Sequence, residues 1–262
     1  MKRILTLILL QLVSVKSLVS QTEIKDTSNV HDWTMTGSVH IFTKQKIKQN
    51  YQPLPGLSIY TKPTTDFAFE VTRFFKLKKG WLSSLGFRLG MLSSDVGIDI
   101  AEDITRNGYP FDNYDKGTLP YIAFKGLIRK KVWEEDRLSI QQGLGSSFVL
   151  VPPGFANFSV SSLSTGVEVP YFRVRGSYNP SRLPFFSALS ETSLVYTKDG
   201  EKKWLLSISF EIAPKTVIES NYIFYTKTGE LKGVLTRSYQ QLGIHFGWFW
   251  TTKKKRKKAD VE

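Results

Sequence analysis

From Trp33 to Trp250 apolar and polar residues alternate in run after run. A period of two belongs to β-strands with one apolar face. The clearest run is 204–212. Trp204, Leu206, Ile208, Phe210 and Ile212 share one face, and Leu205, Ser207, Ser209 and Glu211 share the other. Residues 242–250 set Leu242, Ile244, Phe246, Trp248 and Trp250 against Gly243, His245, Gly247 and Phe249. The same pattern predicts a strand over 33–43, with Trp33, Met35, Val39 and Ile41 opposed to Thr34, Thr36, Ser38 and His40. Another covers 66–76, with Phe67, Phe69 and Val71 against Glu70 and Thr72. Others cover 80–93, where Phe87 and Leu89 oppose Arg88, and 119–130, where Ile122, Phe124 and Ile128 oppose Lys125 and Arg129. A further strand covers 136–151, where Leu138, Ile140 and Leu144 oppose Ser139, Gln141 and Gly143. An eighth, 188–198, does not declare which face is apolar.

The connections are lopsided. Short turns are predicted at 77–79, 131–135 and 199–202, and long connections at 44–65, 94–118, 152–187 and 214–237. Short and long alternate strictly. Outer-membrane barrels have short periplasmic turns, long outer loops and both chain ends in the periplasm. On that topology all six tryptophans fall at the periplasmic end: Trp33, Trp81 and Trp204 where strands start, Trp248 and Trp250 where the last one ends, Trp133 in a short turn. Tryptophan favours the membrane interface, whereas a soluble sandwich gives no reason for such sorting. The prediction is an all-β fold, a closed antiparallel transmembrane barrel of about eight strands spanning 33–251. Residues 57–61 fit either a further strand or the first loop, and 217–226 continue the seventh strand past Pro214. Arg73 falls on the lipid face, a costly place unless it reaches an interface.

Composition changes the picture at the two ends. Lys2 and Arg3 precede an apolar stretch, 4–13, and a short segment, 14–20, ending in small or polar residues. This is the layout of a secretory signal peptide over 1–20, followed by a periplasmic lead-in over 21–32. The net charge of +13 falls to +10 when Lys2, Arg3 and Lys16 leave with the signal. Much of the remainder is the basic run 253–258, inside a periplasmic tail over 252–262. Such runs mark nucleic-acid binding in other settings. Export argues against it here and predicts a solvated tail near anionic head groups, with no nucleic-acid partner. There is no cysteine, so disulfides and thiolate metal sites are excluded.

The stretches 81–92, 119–131 (Leu-Pro-Tyr-Ile-Ala-Phe-Lys-Gly-Leu-Ile-Arg-Lys-Lys) and 241–250 (Gln-Leu-Gly-Ile-His-Phe-Gly-Trp-Phe-Trp) together resemble small outer-membrane barrels of the OmpA/OmpX and PorT-like type. The likeness spans about residues 33–251. It implies the outer membrane of a Gram-negative bacterium, contact with outer-membrane lipid, and a closing aromatic strand read by the barrel-assembly machinery. The chain departs from that pattern by running on after Trp250.

No phosphate loop, H-E-x-x-H or G-x-S-x-G occurs. Catalytic, cofactor and metal residues are therefore not assigned. In an eight-strand barrel side chains just fill the lumen. The predicted lumen residues His40, Glu70, Arg88, Lys125, Arg129, Glu211 and His245 form a polar cluster whose mixed charges pair and plug the barrel. His40, His245 and Glu211 are the sharpest chemical candidate, as a metal site or as a His–Glu pair activating Ser209. The segment 152–187 carries Phe155, Phe158, Tyr171, Phe172, Arg173 and Arg175, a composition that suits contact with a surface partner or glycan; the plainer expectation is a loop packed on itself above the barrel. The expected role is structural or interactive and not enzymatic. Solute or lipid transport and lipid hydrolysis are the alternatives.

Overall fold

The structure, a computed structural model, describes residues 30–104, 110–164 and 167–253. The predicted signal peptide, most of the lead-in and most of the tail lie outside the described residues. Twelve strands are seen among the described residues: β1 (Val30–Phe42), β2 (Lys46–Gln49), β3 (Leu57–Tyr60), β4 (Thr64–Lys76), β5 (Trp81–Ile100), β6 (Phe111–Glu135), β7 (Leu138–Leu150), β8 (Gly154–Ser164), β9 (Val167–Tyr178), β10 (Phe185–Lys198), β11 (Glu201–Thr226) and β12 (Gly229–Lys253). Eight of them close a ring, each strand antiparallel to its neighbours, in the order β1-β4-β5-β6-β7-β10-β11-β12 and back to β1. Closure removes the open edges that would otherwise have to be satisfied in lipid.

The alternation read in the chain is the alternation of the wall. Met35, Phe69, Phe87, Leu89, Phe124, Leu144, Ile208, Phe210, Ile244 and Phe246 stand exposed on the outside. Ser38, Glu70, Thr72, Arg88, Lys125, Ser147, Ser209 and Glu211 are buried within. All six tryptophans sit at the short-turn end. Trp33 pairs with Trp250 and Trp204 with Trp248 across neighbouring strands, and the Trp33 and Trp250 rings stack at 6.2 Å. Arg73 joins this girdle, its guanidinium 5.5 Å from the Trp33 ring and 4.8 Å from that of Phe75, so the cation ends at the interface.

The long connections are corrected. Most of 94–118 and 214–237 is strand, because β5 and β11 run on through Ile100 and Thr226 while β6 and β12 begin at Phe111 and Gly229. The segment 152–187 is a β8–β9 hairpin that pairs with upper β11. Residues 57–60 form β3 against upper β5. The short turn expected at 131–135 sits instead at 136–137, with Trp133 still in β6. The barrel strands also pass the expected bounds, from Val30 to Lys253.

About ten tilted residues cross a bilayer, so strands of 25 or 26 residues project far beyond it. Their extensions, with β2, β3, β8 and β9, form a head on the long-loop end. One wall is β3-β5-β6 and the other β2-β12-β11-β9-β8. Between them lies an apolar core that includes Ile59, Ile98, Val160, Phe172, Tyr222, Phe224 and Leu235. On β11 the register shifts twice between Ile212 and Ile218. Below that bulge the buried positions are odd (Leu205, Ser207, Ser209, Glu211, Ala213), and above it even (Ile218, Ser220, Tyr222, Phe224). An extra residue in one strand re-aims every side chain beyond it.

Candidate functional site

The lumen holds three carboxylates and three cations, joined in one alternating chain. Glu211 binds Arg88 at 2.7 Å, Arg88 binds Glu70 at 3.1 Å, Glu70 binds Lys125 at 2.5 Å, Lys125 binds Glu191 at 3.1 Å, and Glu191 binds Arg129 at 2.9 Å. All six are at most 3% exposed. The formal charges cancel, which keeps the burial tolerable. Because β5 and β11 stand opposite one another in the ring, the Arg88–Glu211 contact spans the lumen. Glu211 also accepts from Gln241 Nε2 at 2.7 Å and from Ser187 Oγ. Arg129 donates to Ser84 and Ser193.

Directly above the ion-pair chain lies an aromatic layer. The Tyr239 ring is 6.1 Å from Phe42, 6.1 Å from Tyr121 and 5.1 Å from Phe185, with all four side chains buried. Above that sits a second polar layer. Arg237 reaches Asp95 at 3.2 Å, Thr64 Oγ1 at 2.9 Å and the Ser93 carbonyl. The β4–β5 ladder stops at Ala68↔Gly90. Higher up the Asp66 carboxylate takes the Ser93 N–H at 2.9 Å, so a side chain replaces the missing ladder acceptor. Outside the membrane span, Tyr114 donates to Asp95 at 2.9 Å. Desolvation and that carboxylate push its phenol up to about 12.

The structure brings His40, His245 and Glu211 into one neighbourhood but not into one site. The two imidazoles meet edge to face at 5.2 Å. Both His40 nitrogens are engaged, Nε2 with Ser38 Oγ at 2.8 Å and Nδ1 with Gln241 Oε1 at 2.7 Å. Among the described residues no group of three His, Asp or Glu side chains converges to hold a metal. His245 Nε2 does meet Ser209 Oγ at 2.7 Å, while the oxygens of Glu211 go to Arg88, Gln241 and Ser187 instead. This pair lies sealed in the wall, Ser209 2% and His245 1% exposed. Gly243 makes room for it, since a Cβ there would lie 2.6 Å from His245 Nε2 and 2.7 Å from Ser209 Oγ.

Pattern reading missed Glu191, which the ambiguous 188–198 run concealed. The structure buries Ser187, Leu189, Glu191, Ser193 and Val195 on one face of β10. Two inward cations on β6, two strands along the ring, Lys125 with Arg129, are the signal that called for a carboxylate there. Asp95 and Arg237 were missed because they lie where long loops were expected, and Asp66 because it stands at the very start of the predicted strand 66–76.

On the outer wall, at the edge of the apolar belt, runs a groove of about 840 Å³. Phe67, Phe69, Leu89, Met91 and Ile122 line it, with Pro120, Pro152, Pro153, Pro184 and Arg182. It opens where the β6–β7 ladder ends at Ile122↔Leu150. Proline has no N–H to carry a ladder further.

A closed eight-strand ring with an apolar exterior, a polar lumen and a one-sided tryptophan girdle defines an outer-membrane β-barrel. No family model matches the chain, and no curated protein matches it. Among solved structures it is similar to the outer membrane protein OprG of Pseudomonas aeruginosa (11% identity, 84% of this chain and 95% of that one, TM-score 0.38). It is also similar to Ail, the attachment invasion locus protein of Yersinia pestis (8% identity, 85% and 99%, TM-score 0.35), and to the outer membrane protein AlkL (12% identity, 90% and 94%, TM-score 0.37).

Proposed function

We propose that this outer-membrane barrel is closed to solutes and acts by contact through the head, the short turns and both termini facing the periplasm. The observation that carries this is the neutral chain Glu211–Arg88–Glu70–Lys125–Glu191–Arg129, which crosses the lumen beneath the Tyr239 aromatic layer. A file of water or ions would have to part these buried ion pairs, which is costly away from bulk water. The head, with its exposed Phe155 and Arg175, presents the contact surface for a partner or glycan. In planar bilayers the protein is expected to pass no steady current. Arg88→Ala combined with Glu211→Ala keeps the charge balanced, removes the crossing contact and is expected to raise conductance. A steady wild-type pore overturns the reading.

The lateral groove favours a second reading, handling of lipid or small apolar molecules at the wall. The added fluorescence of Met91→Trp would be quenched by brominated-chain lipid if acyl chains occupy the groove. Absent both quenching and transfer of labelled lipid in proteoliposomes, this second reading fails.

A further inference from the structure

Several strand edges of the head carry no ladder among the described residues, and the outer edges of β2, β3 and upper β6 are guarded. Strand β2 is four residues long with Lys46 and Lys48. Strand β3 is four residues long, between Pro55 and Pro63. The free edge of upper β6 carries Asp112, Asp115 and Lys116 and runs into Pro120. Short length, charge and proline are the devices that keep sheet edges from pairing with other chains.

Strand β8 has none of them. Its eleven residues, Gly-Phe-Ala-Asn-Phe-Ser-Val-Ser-Ser-Leu-Ser, contain no charge and no proline. It pairs with β9 along one edge, and it ends the sheet. At its base it comes near β6, where a Cβ on Gly154 would lie 3.4 Å from Leu119 Cδ1, but no ladder joins the two among the described residues. The outward residues of its first half are Phe155, Asn157 and Ser159, all exposed. Behind them on β9, opposite Asn157 and Ser159, stand Arg175 and Arg173. Neighbouring strands lie about 4.8 Å apart, so a strand added to β8 would run about 10 Å from β9. Arginine side chains leaning over the short Asn157 and Ser159 can reach acidic side chains on that added strand.

We propose that the 154–160 edge of β8 is a docking site for an extended acidic peptide, which adds as a further strand. Backbone hydrogen bonds supply the attachment, and Arg173 and Arg175 select acidic residues on the outward face. The proposal rests on the head being the contact surface of a barrel with its head outside the cell.

The test uses the full chain in lipid nanodiscs and a short fluorescent peptide alternating valine and glutamate, read by anisotropy. Saturable binding is expected. It should be lost when alternate peptide amides are N-methylated, and lost when lysine replaces glutamate. Arg173→Gln with Arg175→Gln should weaken it about five-fold, the scale of two exposed ion pairs. Ser159→Asp, an exposed site, should weaken it further while heat-modifiable mobility on gels shows the barrel still folded. Equal binding of the N-methylated peptide would mean charge adsorption without strand addition and overturns the proposal. So does indifference to the arginine changes, or a nanodisc mass showing two copies joined through this edge. If the peptide fails while the head still retains cells or glycans, strand addition alone is wrong. Failure of the underlying reading shows instead as wild-type conductance.

Discussion

The membrane-spanning half and the head share the strands β5, β6, β11 and β12, yet they are turned inside out relative to each other. On β11 the lower half hides Ser207, Ser209 and Glu211 and exposes Ile208, Phe210 and Ile212. The upper half hides Tyr222 and Phe224 and exposes Glu219 and Asn221. Nothing in backbone geometry demands this. The surrounding medium does. Lipid rewards apolar exterior positions and leaves the interior to charges that cancel, whereas water drives apolar residues inward. The bulge between Ile212 and Ile218 marks where one rule hands over to the other.

The comparison predicts different failures. The largest effect belongs to the lumen. Glu191→Ala strips both Lys125 and Arg129 of a carboxylate and should cost about 3–5 kcal/mol, read as urea unfolding in vesicles by tryptophan fluorescence. Lys125→Met with Glu70→Gln leaves Arg88–Glu211 and Arg129–Glu191 paired and neutral, and should lose far less. If the double change is as damaging as Glu191→Ala, charge balance is not what holds the lumen. In the head, Phe172→Ala should remove about 3–5 kcal/mol of packing, yet all six tryptophans sit at the far girdle. The fluorescence midpoint should therefore hold while proteolysis of the head accelerates. A shared shift in both signals would mean that the two regions melt as one.

A smaller effect is expected at Gly243→Ala. The added carbon crowds the Ser209–His245 contact, and about 1–3 kcal/mol is expected for such overpacking, again by urea unfolding. The smallest concerns Tyr114, which is 42% exposed. Its phenol is held protonated above the ordinary value of 10. Its contribution is complete below about pH 10 and is lost as pH rises through about 12. Tyr114→Phe should flatten the alkaline decline in hydrogen-exchange protection of upper β5 and β6 while leaving the membrane half unaffected.

The transmembrane half was legible because lipid outside and polar packing inside impose strict alternation, and His40, Glu70, Arg88, Lys125, Arg129, Glu211 and His245 all stand inside as their parity requires. The head was far less legible. Segments 94–100 and 111–118 carry Asp95, Asp99, Asp112 and Asp115 with glycines between, a composition that reads as loop when no partner strand is known. Their pairing, Ile100↔Phe111 down to Met91↔Pro120, is a continuation of the barrel hairpin beneath, so the strand is inherited from its lower half. The β11 bulge was hidden for a different reason. Parity changes midway, and a reader following period two past Pro214 meets what looks like a break. Glu191 fell to the near-equal polarity of both faces of β10.

The pairing of β1 with β12 has a consequence for biogenesis. Val30 meets Lys253 and Phe42 meets Gln241, so the ring is sealed by the two ends of the folded chain. Loop-closure entropy makes contacts of such sequence separation slow to form. More plainly, no nascent or truncated product lacking the last strand can seal at all. Without β12 the remaining strands would form a sheet with two bare margins, β1 and β11, facing hydrocarbon.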